Sequence, residues 1–343
     1  MRKFESLALR FDGEKIWVLD QMLLPQKKIW LDATSPEKMI EYIRALKVRG
    51  APLIGIAAAF CLARLAESGE TEAEYRKAAE SLRASRPTAV NLMNAVDKLT
   101  AFRPGQMNVR DIVELAERFF REDQKLCENI AKYGAELVLD GDGIITHCNT
   151  GGLATAGVGT AMGIIRRAHE EKKKIHVYID ETRPLLQGGR LTAWEMAELA
   201  IPHTLICDSA AAILMREKRI TKVIVGCDRI ALNGDFANKV GTYGLAVLAR
   251  HHGIAFYVAG PYTTIDLHCE SGADIPIEER AADEVRGVCG AFGEVVWAPR
   301  ATPVFNPAFD VTPAALVSAW ILDKGVYTTE DIKRGGLIEC TQS

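Results

Sequence analysis

The sequence predicts an α/β protein. A Rossmann-like, mostly parallel sheet flanked by helices follows a mainly helical N-terminal domain with a small β element. Three observations carry this. From Asp142 onward, short runs rich in Ile and Val alternate with helical stretches, the pattern of repeated β-α-β units and of a parallel sheet covered on both faces. Ahead of that point nearly all the periodic segments are helical. The chain has 343 residues, 48% hydrophobic and 25% charged, which suits two globular domains with sizeable cores. We place the boundary at 140, giving a helical domain over 1–140 and a catalytic domain over 141–343.

The start reads as short strands, Lys15–Leu19 and Lys28–Leu31, joined by a turn at Leu24-Pro25-Gln26. A helix follows, with Thr34 or Ser35 as cap, Pro36 in its first turn, and Met39, Ile40, Ile43 and Leu46 on one face. Leu53–Ala66 is alanine-rich and reads as a buried helix. Further helices are expected near 71–85, 88–101 and 109–139. The later strands are Gly143–Thr146, Ile175–Ile179, His203–Cys207, Lys222–Val225 and Ile254–Val258, with helices near 154–170, 190–200, 209–218 and 241–252. Glu278–Val288 and Pro313–Lys324 are read as helices too. Gly143–Ile165 carries no charged residue but holds six glycines with His147 and Asn149. It therefore reads as strand, glycine loop and helix rather than a membrane span.

In open parallel sheets, ligands bind beyond the carboxyl ends of the strands. The strands here deliver His147-Cys148-Asn149-Thr150-Gly151-Gly152, Asp180-Glu181-Thr182-Arg183, Asp208-Ser209, Cys227-Asp228-Arg229 and Gly260-Pro261-Tyr262-Thr263. Asn149, Thr150, Gly151 and Gly152 form a candidate phosphate loop, because glycines let backbone N–H groups approach an anion ahead of a helix start; tight strand-to-helix packing is the bland alternative. No G-x-x-x-x-G-K-[ST] is present, which argues against a P-loop. Gly157-x-Gly159-x-x-x-Gly163, with Asp180 about 20 residues on, approaches a dinucleotide fingerprint, but its third glycine comes one residue late.

Eight cysteines are spread along the chain with no C-x-x-C pair and no zinc-like spacing, so no metal is expected. Cys148 ends a strand ahead of glycines and a helix start, the setting of a reactive thiol. Cys207, Cys227 and the rest read as small apolar residues. His147 points away from Cys148 on a strand and reads as a buried, satisfied histidine. Asp228 sits at the rim of an apolar sheet, where a carboxyl serves as a general acid; a helix cap or a pair with Arg229 is the alternative. Lys239, next to Asn238 and ahead of a helix, is placed to hold an anion. Arg49-Gly50-Ala51 and Arg86-Pro87-Thr88 set arginines beside turn residues at helix starts. Net charge is −3, from 42 basic and 45 acidic residues, so neither nucleic acid nor an anionic membrane is expected as partner. The N-terminus lacks the apolar stretch of a signal peptide, and the location expected is cytoplasmic and reducing.

These segments together resemble the methylthioribose-1-phosphate isomerases of methionine salvage. The matching stretches are RGAPLIGIAAA at Arg49–Ala59, RPTAVNL at Arg86–Leu92, HCNTGGLATAGVGTA at His147–Ala161, DETRPLLQGGRLTAWE at Asp180–Glu195, GCDRIALNGDFANKVGTYGLAVLA at Gly226–Ala249, IPIEER at Ile275–Arg280 and NPAFDVTPAALV at Asn306–Val317. The wider superfamily includes ribose-1,5-bisphosphate isomerases and regulatory subunits of a translation initiation guanine-nucleotide exchange factor. The resemblance implies an aldose–ketose isomerase converting 5-methylthioribose 1-phosphate to 5-methylthioribulose 1-phosphate, without cofactor, as a homodimer. It implies Asp228 as proton donor, Cys148 as second catalytic group, and substrate contacts from Arg49, Gly50, Ala51, Arg86, Gln187, Asn238 and Lys239. Gln187 comes from the resemblance alone. The alternatives are a ribose-1,5-bisphosphate isomerase, which needs a second phosphate clamp, and a non-catalytic sugar-phosphate-sensing subunit, against which Cys148 and Asp228 argue. Two departures stand out: Cys227, where the family usually has alanine, and Tyr262-Thr-Thr-Ile-Asp266, where it usually has T-S-T-I-D.

Overall fold

A computed structural model describes residues 1–86 and 89–342. Pro87 and Thr88, the turn residues beside Arg86, lie outside them. The chain divides into two compact units, Met1–Lys125 with Gly152–Gly157, and Leu126–Gly151 with Val158–Ser343.

The first unit opens on an antiparallel sheet of β1 (Phe4–Glu5), β2 (Leu9–Phe11), β3 (Ile16–Leu19) and β4 (Trp30–Asp32), paired in chain order. β3 and β4 match the two strands read from the sequence. β1 and β2 are too short for an alternation pattern to register. Asp12 makes the β2–β3 turn by accepting the N–H groups of Glu14 and Lys15 at 2.9 and 2.8 Å. The helices are α1 (Pro36–Arg44), α2 (Ala51–Glu67), α3 (Glu72–Arg83), α4 (Val90–Leu99) and α5 (Val109–Ala135). Ser35 caps α1 through the N–H of Lys38, and Thr71 with Glu74 closes a capping box on α3. α2 is buried continuously from Leu53 to Ala63; alanines on every face let its neighbours approach closely, which is why it has no amphipathic pattern.

The segment Gly152–Gly157 is held inside this unit at three points. Gln21 Nε2 donates to the Leu153 carbonyl at 2.7 Å, Leu53 N–H to the Ala154 carbonyl at 3.2 Å, and Ala156 N–H to Asp123 Oδ2 at 2.6 Å. Burial pushes the Asp123 carboxyl up from 3.8 to about 6, against the opposing pull of the Ala156 and Gly157 N–H groups. Folding thus favours the protonated form. The stabilisation is fully present below the unfolded value and is lost as pH rises through about 6. Asp123→Asn is expected to remove that slope. Urea unfolding of variant and wild type should diverge by up to about 3 kcal/mol between acid and neutral pH, in favour of the variant. Parallel curves would show that Asp123 does not titrate in this range.

In the second unit the elements run β5 (Gly143–Thr146), α6 (Ala161–Glu170), β6 (His176–Asp180), a π-helical stretch Gly188–Thr192 leading into α7 (Ala193–Glu198), β7 (His203–Ile206), α8 (Ala211–Arg216), β8 (Lys222–Val225), β9 (Arg229–Ile230), β10 (Phe236–Lys239), α9 (Thr242–His252), β11 (Ala255–Ala259), α10 (Asp283–Arg286), β12 (Gly287–Gly290), β13 (Gly293–Val296), β14 (Phe309–Thr312), β15 (Ala319–Leu322), β16 (Gly325–Tyr327), α11 (Thr329–Lys333) and α12 (Gly336–Gln342). The main sheet has the order β16-β15-β11-β8-β5-β6-β7 and is parallel except for β16. Its inner strands β5, β8 and β15 are buried along their whole length because both faces are covered, whereas the edge strands β7 and β16 are partly exposed. Ile145, Val223, Val225, Phe256 and Trp320 enter one core, and Ile144, Ile224, Val177, Ile179 and Ile321 the other. A second sheet, β14-β10-β9, is antiparallel. Among the described residues no helix is long and apolar enough to cross a membrane.

Two expectations are corrected. The helix expected over 154–170 begins only at Ala161, since Thr160 N–H bonds the Thr150 carbonyl at 2.8 Å and closes a loop instead of a helical turn. The C-terminal helices shrink. Glu278–Val288 holds only the four-residue α10 before a hairpin, and Pro313–Lys324 holds a 3₁₀ turn followed by β15. Ala319–Leu322 is buried throughout, and a short, fully buried apolar run has no period that separates strand from helix.

Candidate active site

The central strands β8, β5 and β6 are neighbours, and each ends beside a residue singled out above. Cys148, two residues past β5, is half-buried with a left-handed backbone, φ 64°. Such a conformation costs a non-glycine residue about 1–3 kcal/mol and persists only where surroundings impose it. Here two threonines do so. Cys148 N–H donates to Thr182 Oγ1 at 2.9 Å, and Thr192 Oγ1 donates to the Cys148 carbonyl at 2.6 Å. Thr182 is itself left-handed, φ 64°. Asp208 holds it there by accepting the N–H groups of Thr182 and Arg183, both at 2.7 Å. The thiol is aimed by its main chain.

The loop after Cys148 is braced from below. Asn149 is buried, and its amide donates to Glu195 Oε1 at 2.7 Å and to Thr192 Oγ1 at 3.3 Å. Thr150 Oγ1 accepts the Met162 N–H at 3.2 Å, in the first turn of α6. The side chains of Asn149 and Thr150 thus serve the loop's own shape. Gly151 lies against the buried Glu195 carboxylate: a Cβ there would stand 2.3 Å from Oε2. Gly152 belongs to the first unit.

Asp228 follows β8, half-buried, with its N–H donating to the Ala237 carbonyl at 2.9 Å. Arg229 turns instead to Asp266, 3.3 Å away. The neighbouring Cys227 thiol is pushed up by burial and further by the Asp228 charge, so it stays an inert S–H, 3.8 Å from the Ala259 carbonyl. Asn238 and Lys239 close β10 and are both buried. Asn238 Nδ2 donates to Thr242 Oγ1 at 3.0 Å, and the Lys239 ammonium donates to the Ala308 carbonyl and stands 4.8 Å over the Phe309 ring. Gln187 is 6% exposed, at the entry to the π-helical stretch, a geometry that recurs at functional sites. Its Oε1 finds no hydrogen-bond partner among the described residues, so it is a buried acceptor suited to a hydroxyl donor.

Arg49, Gly50, Ala51 and Arg86 belong to the first unit. Gly50 is the N-cap residue of α2, with Arg49 and Ala51 on either side. Arg86 follows α3, and its carbonyl accepts the Ala89 N–H at 3.0 Å.

Reading the sequence placed Thr182 at a strand end without giving it a role, and missed Thr192 and Glu195. The available signal was the density of polar residues from Asp180 to Glu195 in a segment that turns out largely buried. Among the described residues one group of potential metal ligands gathers, His147, Asp180 and Asp208. Both Asp208 oxygens accept backbone N–H groups, and both His147 nitrogens are hydrogen-bonded, so the cluster is built as a bonded network.

The profile of the initiation factor 2 subunit family matches residues 47–329. The chain belongs to this family. A methylthioribose-1-phosphate isomerase of Cronobacter sakazakii is 56% identical over 335 residues, spanning 98% of this chain and 99% of that protein. One of Citrobacter koseri is 55% identical, spanning 98% of each. Among solved structures, the 5-methylthioribose 1-phosphate isomerase of Pyrococcus horikoshii superposes with a TM-score of 0.87 at 39% identity, covering 97% of this chain and 95% of that one. The translation initiation factor eIF-2B delta subunit of A. fulgidus reaches 0.85 at 38% identity, covering 98% and 100%. The two structural neighbours are nearly equally near, so the fold alone does not separate an isomerase from an initiation-factor subunit. The isomerases at 55–56% identity do, and this member of the family is an isomerase.

Proposed function

We propose that the chain converts 5-methylthioribose 1-phosphate to 5-methylthioribulose 1-phosphate. The observation that carries the reading is a tightly positioned thiol, Cys148, on the strand next to that of Asp228, in a chain 56% identical to an enzyme of that name. Phosphate on C1 blocks the free aldehyde of an ordinary aldose, so the furanose opens with the phosphate attached. Asp228 gives its proton to the ring oxygen as the C1–O bond breaks. The Cys148 thiolate takes the proton from C2 and, after exchange with solvent, the thiol returns one to C1, while the C2 hydroxyl gives its proton to the Asp228 carboxylate, leaving a ketone at C2 and a CH2 bearing the phosphate. Gln187 Oε1 receives a sugar hydroxyl, and Asn238 and Lys239 bind the substrate from β10. The loop Asn149-Thr150-Gly151-Gly152 contributes backbone N–H groups to the phosphate, since its first two side chains are engaged inside the protein.

The test is turnover in deuterated water with two sugars, followed by NMR. 5-Methylthioribose 1-phosphate is expected to yield ketose carrying deuterium at C1. Turnover of ribose 1,5-bisphosphate alone would replace the assignment with the bisphosphate isomerase, and turnover of neither would favour a sensing subunit. Ketose without deuterium would favour a direct hydride shift, or a Cys148 proton shielded from exchange, over an exchanging proton transfer.

A further inference from the structure

His147 immediately precedes Cys148 and is 1% exposed. Its Nε2 lies 2.9 Å from the Val240 carbonyl, and its Nδ1 lies 2.9 Å from Asp180 Oδ2. A carbonyl only accepts, so Nε2 carries a hydrogen. Nδ1 then faces a carboxylate across a gap that holds one proton. With that proton, both contacts are hydrogen bonds. Without it, a nitrogen lone pair confronts a carboxylate lone pair in a buried site.

The three segments that meet at this ring each carry part of the site. β5 continues into Cys148. β6 ends at Asp180, two residues before Thr182, whose hydroxyl accepts the Cys148 N–H. Val240 directly follows Asn238 and Lys239. The chain makes room for the ring at Gly241, φ 107°, where a Cβ would stand 2.8 Å from His147 Cε1 and 3.0 Å from Nε2.

We propose that His147 and Asp180 are a positioning pair for the reaction: sharing one proton, they hold the Cys148 strand end in register with the Asn238–Lys239 segment, and loss of that proton lowers turnover. This inference rests on the isomerase reading for its kinetic part only.

The charges around the ring agree. Burial opposes its charge, but the bond to Asp180, the charges of Asp180 and Asp208, and the Val240 carbonyl outweigh it and raise its proton affinity. From β14, Asp310 also faces His147, and both His147 and Lys239 favour its carboxylate form. Burial raises the Asp180 carboxyl, partly offset by His147. Asp180 Oδ1 is buried with no partner among the described residues, so the imidazolium is the main compensation for that carboxylate.

The experiment uses the full-length enzyme labelled with ¹⁵N-histidine. The sequence has 7 histidines, and His147→Gln identifies the resonance of interest by its loss. That resonance is expected to stay doubly protonated above the ordinary histidine range and to titrate together with an alkaline fall in wild-type kcat. Asp180→Asn is the second variant. Its amide can donate to Nδ1 of a neutral ring while Nε2–H still reaches Val240, so it should show a neutral ring, keep most of kcat and lose the alkaline fall. His147→Gln should lose about tenfold or more in kcat at all pH values, with KM within a few-fold. A neutral His147 in the wild type at pH 7, or an unchanged alkaline fall in Asp180→Asn, would overturn the proposal. If the wild type does not turn over methylthioribose 1-phosphate, the isomerase reading fails, and the NMR titration still decides whether the pair holds its proton.

Discussion

Asp228→Asn and Cys148→Ala are each expected to lose about 10²-fold or more in kcat, with secondary structure and melting temperature little changed. The fold should survive because both residues are tied in through their main chains. Asp228 N–H pairs with the Ala237 carbonyl, and Cys148 is gripped by Thr182 and Thr192 at its N–H and carbonyl. None of these bonds uses the side chain removed. The two losses should differ in character. The amide of the Asp228→Asn variant cannot deliver a proton to the ring oxygen, so ring opening becomes limiting. On the proposed mechanism, the Cys148→Ala variant should permit ring opening and leave the C2 proton in place. Rate assays with circular dichroism on the same samples check this. Near-normal turnover in either variant would strip that residue of its role, and a collapsed spectrum would mean that the side chain also supports the fold.

Gly151→Ala is expected to be nearly as damaging by a different route. Its methyl would stand 2.3 Å from Glu195 Oε2 and 2.6 Å from Oε1, inside the contact distance of any real carbon. Glu195 cannot retreat without releasing the Asn149 amide, which it accepts at 2.7 Å. Asn149 in turn donates to Thr192, the residue that holds the Cys148 carbonyl. The strain therefore runs back to the thiol. Overpacking of this kind costs about 1–3 kcal/mol in stability, and a displacement near 1 Å at the reactive group costs about 10²-fold in rate. Thermal melts and kcat together test the chain of contacts. A variant that melts lower but turns over normally would show that the loop and the thiol are mechanically separate.

Most of the sheet was legible because parallel strands buried on two faces are plain in sequence: GIIT, KVIV and their partners are short apolar runs with turn residues on either side. Knowing that such sheets bind ligands at their carboxyl edge is what makes Cys148 and Asp228 candidates. β10 escaped notice because Phe236-Ala-Asn-Lys239 has no apolar alternation; its strand character comes from pairing with β9 and β14. β15 was read as helix because Ala-Trp-Ile-Leu satisfies either period. The residues that aim the thiol were hidden for a deeper reason. Thr182 and Thr192 matter only because Cys148 adopts a left-handed backbone, and no composition or spacing announces that. Gln187 likewise stood out only by resemblance, since its buried and unmatched acceptor depends on a π-helical turn.

The assignment of Gly152–Gly157 to the first unit makes the two units topologically inseparable by a single cut. The chain passes from one to the other inside α5, crosses back after Gly151, and returns at Val158. A fragment beginning at residue 141 would keep the whole main sheet yet carry six residues whose partners, Gln21, Leu53 and Asp123, were left behind. The complementary fragment would lack the strand of chain that those three groups grip. Recombination between relatives faces the same constraint: a chimera joined near 140 pairs one parent's grip with the other parent's loop. Grafts that respect the architecture must exchange that hexapeptide together with the N-terminal unit.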